Sequence, residues 1–89
     1  MHEVKPVRNN EEEDRFEIDF DGRLGVLDYE IADGHMMMTH TEVPPEYRGK
    51  GYGEALARAA LDYARRHSLT PEPICPFVRS FIARHPEYA

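Results

Sequence analysis

From Phe16 the chain alternates apolar and acidic positions, with Phe16, Ile18 and Phe20 interleaved with Glu17, Asp19 and Asp21. A period of two sends successive side chains to opposite faces, so this segment reads as a half-buried β-strand. Asp21-Gly22 follows, and both residues tolerate positive φ, which predicts a tight hairpin turn. A second strand runs from about Leu24 to Ile31, Asp33-Gly34 repeats the turn signal, and a third strand runs from about His35 to Val43. Together they predict an antiparallel meander. Pro44-Pro45 ends it by removing two backbone donors.

The period then becomes helical. Leu56, Ala57, Ala60, Leu61, Tyr63 and Ala64 fall on one arc of roughly 160° of a helical wheel, with Glu54, Arg58, Asp62, Arg65 and Arg66 on the other side. This predicts a helix from Tyr52 to His67, with Glu54–Arg58 and Asp62–Arg66 as acid-first i,i+4 pairs. Leu69 to Cys75 reads as a short strand, joined to the sheet in parallel by the helical crossover. Pro76 suits a first helical position, and a last helix would bury Phe77, Val78, Phe81 and Ile82 before Pro86 stops it. The first fourteen residues are polar. Either Val4 to Arg8 forms a short edge strand, where Pro6 is tolerated, or the segment is frayed. The expected order is βββ–α–β–α, an α/β domain spanning residues 1–89 without repeats or a linker.

Composition narrows the class. A chain of 89 residues suffices for one small core, and its hydrophobic and charged fractions of 40% and 31% suit a globular domain. Met36 to Thr41, the longest nearly uncharged apolar stretch, is far short of the ~20 residues of a spanning helix, and residues 1–5 lack a signal-peptide core. No membrane role is expected. Cys75 is the sole cysteine, so no internal disulfide forms, and a reducing cytoplasm is the expected location. A net charge of −6 argues against general nucleic-acid binding. The charge is unevenly spread: residues 1–47 hold 13 acidic and 4 basic side chains, whereas residues 48–89 hold 4 and 7. One half therefore favours a cation and the other an anion.

The segment Arg48-Gly49-Lys50-Gly51-Tyr52-Gly53 carries the chemistry. It lies between a strand and a helix start, where backbone amides lack intrahelical partners and the macrodipole is positive. Glycines allow an anion close to those amides, and Arg48 and Lys50 add positive charge. A pyrophosphate-like ligand is the natural guest. The nucleotide P-loop pattern G-x-x-x-x-G-K-[ST] is absent, and G-x-G-x-x-G fails because Glu54 stands where its last glycine belongs.

What does match is R-x-x-G-x-G, in Arg48, Gly51 and Gly53. With it go Thr39 to Tyr47, Leu61-Asp62-Tyr63-Ala64-Arg65, Cys75-Pro76-Phe77-Val78 and His85-Pro86-Glu87-Tyr88. On these residues the sequence resembles the GCN5-related N-acetyltransferase superfamily, and within it the minimal, core-only subfamily. The resemblance implies a mixed sheet with a V-shaped cleft between the third and fourth strands that binds acetyl-coenzyme A. It implies pyrophosphate on the amides of Gly49, Lys50, Gly51, Tyr52 and Gly53, beside Arg48, and pantetheine along Thr41, Glu42 and Val43. The start of the last helix, Pro76 to Ser80 with Arg79, would flank the other side. The chain lacks the helices that larger relatives insert between their first two strands, where acceptor pockets are often built.

Two residues are candidates for catalysis. By the resemblance, Cys75 ends the parallel strand beside the thioester, and a helix N-terminus after it would favour a thiolate. It could carry the acetyl group covalently, act as an acid–base group, or simply pack as a small apolar residue. His40 has the side-chain type suited to proton transfer at neutral pH, or else packs in the strand. Strict alternation places His40 and Glu42 with Met36 and Met38 on one face, and His35, Met37, Thr39, Thr41 and Val43 on the other. Met36-Met37-Met38 reads as core filling, and no metal-ligand spacing occurs. The leading expectation is acetyl transfer to a primary amine, a lysine side chain or polyamine if the acidic half recruits the acceptor. The competing one is a non-catalytic acyl-coenzyme A binding or interaction module of the same fold. A monomer or weak dimer is expected.

Overall fold

Both Asp-Gly pairs form the turns their chemistry suggests: Asp21 and Gly22 have φ of 54° and 98°, and Asp33 and Gly34 have 52° and 78°. The computed structural model, which describes residues 5–88, places these turns between the long strands of one five-stranded sheet. The strands are β1 (Arg8–Asn10), β2 (Arg15–Phe20), β3 (Arg23–Ala32), β4 (His35–Glu42) and β5 (Thr70–Pro73), in that spatial order. The first four are antiparallel. Helix α1 (Tyr52–Arg66) crosses over from β4 to β5, which pairs in parallel with β4, and α2 (Pro76–Arg84) follows. Two single 3-10 turns, Pro45–Tyr47 and Pro86–Tyr88, were not visible in the pattern.

The core lies between one sheet face and both helices. Phe16, Ile18, Phe20, Leu27, Tyr29, Met36 and Met38 from the sheet meet Leu56, Ala57, Ala60, Leu61 and Ala64 of α1 and Val78 and Phe81 of α2. Burial of each large apolar side chain is worth about 1.5–3 kcal/mol. The predicted faces of α1 and α2 are thus the buried ones, with Tyr63, Phe77 and Ile82 at their margins. Glu54 pairs with Arg84 of α2, and Arg58 lies over the Phe81 ring, 5.4 Å from its centroid, in place of the expected Glu54–Arg58 pair.

Three local features depart from the expected pattern. The edge strand exists but lies at Arg8–Asn10, sharing only Arg8 with the expected Val4–Arg8; Val4 falls outside the described residues. Its position is explained by Glu17, which alternation assigns to the polar face yet is only 2% exposed. Arg8 and Arg15 donate to the Glu17 carboxylate, and the Asn10 amide donates at 3.0 Å, so β1 is tied to β2 through a satisfied buried charge. The third departure is a β-bulge. Asp28 faces His40 and Tyr29 faces Met38, leaving Thr39 as an extra residue on β4. The bulge inverts the alternation, so His40 and Glu42 do not share the face of buried Met36 and Met38. They are exposed, while Val43 is buried and Thr41 is partly so.

Candidate functional site

The bulge and the parallel pairing together open a cleft. β4 and β5 remain in register from His35–Thr70 to Met38–Pro73, and the Cys75 amide donates to the Met38 carbonyl at 2.9 Å. Past that point β4 stays paired with β3 as far as Glu42, and among the described residues no strand pairs with its other edge. A cavity of about 630 Å³ lies along this edge. His40, Thr41, Glu42 and Val43 form one wall; Tyr47, Arg48, Gly49, Gly51, Tyr52, Gly53 and Glu54 form the end; Phe77 and Arg84 come from α2.

The loop at the end of the cavity is braced from within. Arg48 Nε donates to the Val43 carbonyl at 2.8 Å, fastening the loop to the end of β4. Gly49 has φ of 76°, and Gly51 has φ of 89° as the left-handed N-cap of α1; a Cβ on either would meet no atom within 4 Å. Backbone conformation, and not space, calls for glycine at both. No side chain caps α1, so the Gly53 and Glu54 amides of its first turn have neither an intrahelical nor a capping acceptor. Beneath the loop, the Tyr47 ring stacks on Phe20 at 4.1 Å, and Tyr52 meets Phe20 edge-on at 4.9 Å. These contacts tie the loop to the core.

Gly53 is a glycine of another kind. It lies inside α1, and a Cβ there would come within 2.8 Å of the Phe77 ring. Its missing side chain admits the ring that forms the α2 wall of the cavity.

Of the two catalytic candidates, His40 lies on the cavity wall, 57% exposed, with Nε2 3.1 Å from a Glu42 carboxylate oxygen. Cys75 is 6% exposed and sits behind that wall, with Sγ 3.5 Å from the hydroxyl of cavity-lining Thr41. Burial pushes the Cys75 thiol up, but the Thr41 hydroxyl and the Val78, Phe77 and Thr41 backbone groups outweigh it, and the net shift is downward. The Val78 and Phe77 amides act from the first turn of α2 without closing a capping hydrogen bond. Cys75, its thiol shifted downward, thus lies on one side of β4, and the His40–Glu42 pair lies on the other.

Most of the loop and β4 residues singled out in the sequence converge on this cavity. Lys50 does not line it, and on α2 the expected Pro76, Arg79 and Ser80 are exposed and off its wall. Helical periodicity explains the exchange: with Val78 and Phe81 in the core, Phe77 and Arg84, seven residues apart, border the cleft. That i,i+7 spacing was the available signal for Arg84. Tyr47 and Glu54 flank the glycine motif directly. Among the described residues, no group of His, Cys, Asp or Glu is arranged to hold a metal ion, and no helix is long and apolar enough to cross a membrane.

Comparison with known proteins identifies the family and the fold. A family model described as GCN5-related N-acetyl-transferase matches residues 15–89. Protein NATD1 of Bos taurus is 37% identical over 62 residues, covering 68% of this chain and 55% of that protein. Protein NATD1 of Danio rerio is 31% identical over 87 residues, covering 92% and 79%. The matched segment thus spans about half the length of the Bos taurus relative. The NMR solution structure of a GCN5-like protein from Staphylococcus aureus superposes with a TM-score of 0.73 at 26% identity, covering 93% of this chain and 82% of that one.

Proposed function

Because the chain belongs to the GCN5-related N-acetyltransferase family, we propose that it binds acetyl-coenzyme A in the β4–α1–α2 cleft and transfers the acetyl group to a primary amine. The observation that carries this reading is the continuity of the cleft. The part of the β4 edge beyond Met38, which has no strand partner among the described residues, leads directly to positive-φ glycines and an uncapped helix start. The volume of about 630 Å³ lies within the range of ligand pockets. A strand edge suits the amides of a pantetheine arm, and a helix N-terminus suits a pyrophosphate. The residues present fit the ligand.

Acetyl-coenzyme A supplies an activated acetyl thioester. Backbone groups of Thr41 to Val43 orient the arm, the loop from Gly49 to Gly53 holds the pyrophosphate, and Phe77 excludes water from the α2 side. Cys75 is proposed as a covalent relay: its thiolate bonds to the acetyl carbon as the coenzyme thiolate leaves, and the amine then displaces Cys75. Support comes from its downward-shifted thiol beside Thr41. His40 is proposed to take the proton the attacking amine loses, a role supported by its contact with Glu42 and its exposure on the cavity wall. Asp28 lies opposite His40 on β3, and with Glu42 it lends the β4 side an acidic character that suits a cationic acceptor such as a lysine side chain or polyamine.

A second reading, an acyl-coenzyme A binding module without turnover, is favoured by the position of Cys75 behind the wall. Measuring coenzyme A release from acetyl-coenzyme A across peptides, polyamines and neutral amines separates the two. The enzyme reading expects release with at least one primary amine, fastest with cationic ones. Tight cofactor binding with no release above the uncatalysed rate would establish the module.

A further inference from the structure

Arg84 is one of two α2 side chains on the cavity wall. It lies seven residues beyond Phe77, two helical turns and roughly 10.5 Å along the axis, and both line the cleft. Its guanidinium Nη1 is 3.4 Å from Glu54 Oε2, and Glu54 stands in the first turn of α1, immediately after the last glycine of the loop. Each wall arginine donates its Nε to a backbone carbonyl, Arg48 to Val43 at 2.8 Å and Arg84 to Ser80 at 3.4 Å, but only Arg84 is paired through its Nη1 with Glu54 beside the loop. The loop amides and the Arg84 guanidinium are therefore two distinct anion-attracting groups on the cavity wall, the second held beside Glu54.

Resting on the acetyl-coenzyme A reading of the cleft, we propose that Arg84 recognises the 3′-phosphate on the ribose of the coenzyme, with Glu54 as its positioning residue. Coenzyme A carries anionic groups of two kinds, an internal pyrophosphate and a terminal phosphomonoester. The amides of the loop accommodate the first, which leaves the second as the partner for Arg84. The Arg84–Glu54 pair is exposed on both sides, at 56% and 38%, and an exposed pair of this kind contributes little by itself. A phosphomonoester offers the guanidinium a bidentate, charge-assisted partner that is much stronger. Glu54 holds the guanidinium over the cleft until that exchange takes place, and His85 Nε2, 3.9 Å from the same carboxylate oxygen, remains as a partner for Glu54 afterwards.

The test is titration calorimetry of coenzyme A and 3′-dephospho-coenzyme A against the wild-type chain, Arg84→Gln and Arg84→Lys. Wild type should prefer coenzyme A by about tenfold or more, and Arg84→Gln should lose roughly 10- to 100-fold in coenzyme A affinity, the range for one charge-assisted contact. Its affinity for 3′-dephospho-coenzyme A should stay close to wild type, which also shows that the variant is folded. Arg84→Lys should keep part of the preference. An equal loss for both ligands, or an unchanged preference in Arg84→Gln, would overturn the assignment. Wild-type protein that binds neither ligand would instead overturn the cofactor reading beneath it.

Discussion

The ring of Phe77 occupies the space a side chain on Gly53 would need, with Cζ only 2.8 Å from where that Cβ would lie. Gly53→Ala should therefore leave α1 helical, since alanine favours helix, but push the ring into the cleft. Acetyl-coenzyme A affinity should fall by about tenfold, roughly 1.4 kcal/mol, with little change in thermal midpoint. Gly53→Ala with Phe77→Leu should recover much of that loss, a coupling that a double-mutant cycle reads directly. Additive losses would show that the ring and the glycine act independently.

A relay through Cys75 predicts a chemical product. Incubation with acetyl-coenzyme A alone should leave one acetyl group on Cys75, detectable by intact-protein mass spectrometry. Because the Thr41 hydroxyl and nearby backbone groups outweigh burial and lower the thiol pKa below its ordinary 9.0, the acetylation rate should rise with pH and level off before an unperturbed thiol would. Cys75→Ala should lose turnover, retain cofactor affinity and cost about 1 kcal/mol of stability. Full activity in that variant would leave direct attack by the amine as the mechanism.

Glu17 predicts an acid limb in stability. Hydrogen bonds from Arg15, Arg8 and Asn10, partly opposed by burial, lower its carboxyl from 4.5 to about 2. A depressed folded-state pKa means that the unfolded chain takes up this proton first, so the contribution is complete above about 4.5 and is lost as pH falls toward about 2. Chemical denaturation across this window should show wild type losing stability faster than Glu17→Gln, with their difference narrowing as pH falls. Parallel curves would remove Glu17 as the source.

The sequence revealed the frame where local chemistry and long-range packing agree. Phe16, Ile18 and Phe20 mark β2 because their faces coincide with the core, and Asp21-Gly22 and Asp33-Gly34 form turns set by their own φ preferences. The glycine loop was legible as an anion site because its spacing and the following helix are local. The bulge at Thr39 was not, since Thr39, His40, Thr41 and Glu42 are all polar and no apolar residue marks the change of phase. Burial of Glu17 depends on Arg8 and Asn10 from another strand, and Arg84 reaches the cleft only through the crossing of α2 over the start of α1. The first leaves no local pattern, and the second leaves only the i,i+7 spacing of Phe77 and Arg84.

Gly51 is the position at which the anion site at the start of α1 can be probed by charge alone. Asp14, Asp21 and Asp33 already adopt φ of 52–54° in this chain, so aspartate is a tolerable guest in left-handed backbone, and asparagine is its uncharged counterpart. Acetyl-coenzyme A should be titrated by calorimetry into wild type, Gly51→Asn and Gly51→Asp, with circular dichroism verifying the fold of each. Gly51→Asn should keep most of the wild-type affinity, while Gly51→Asp, folded but carrying a negative charge at the pyrophosphate position, should lose it. A folded Gly51→Asp that binds acetyl-coenzyme A as tightly as wild type would contradict an anion site at this position.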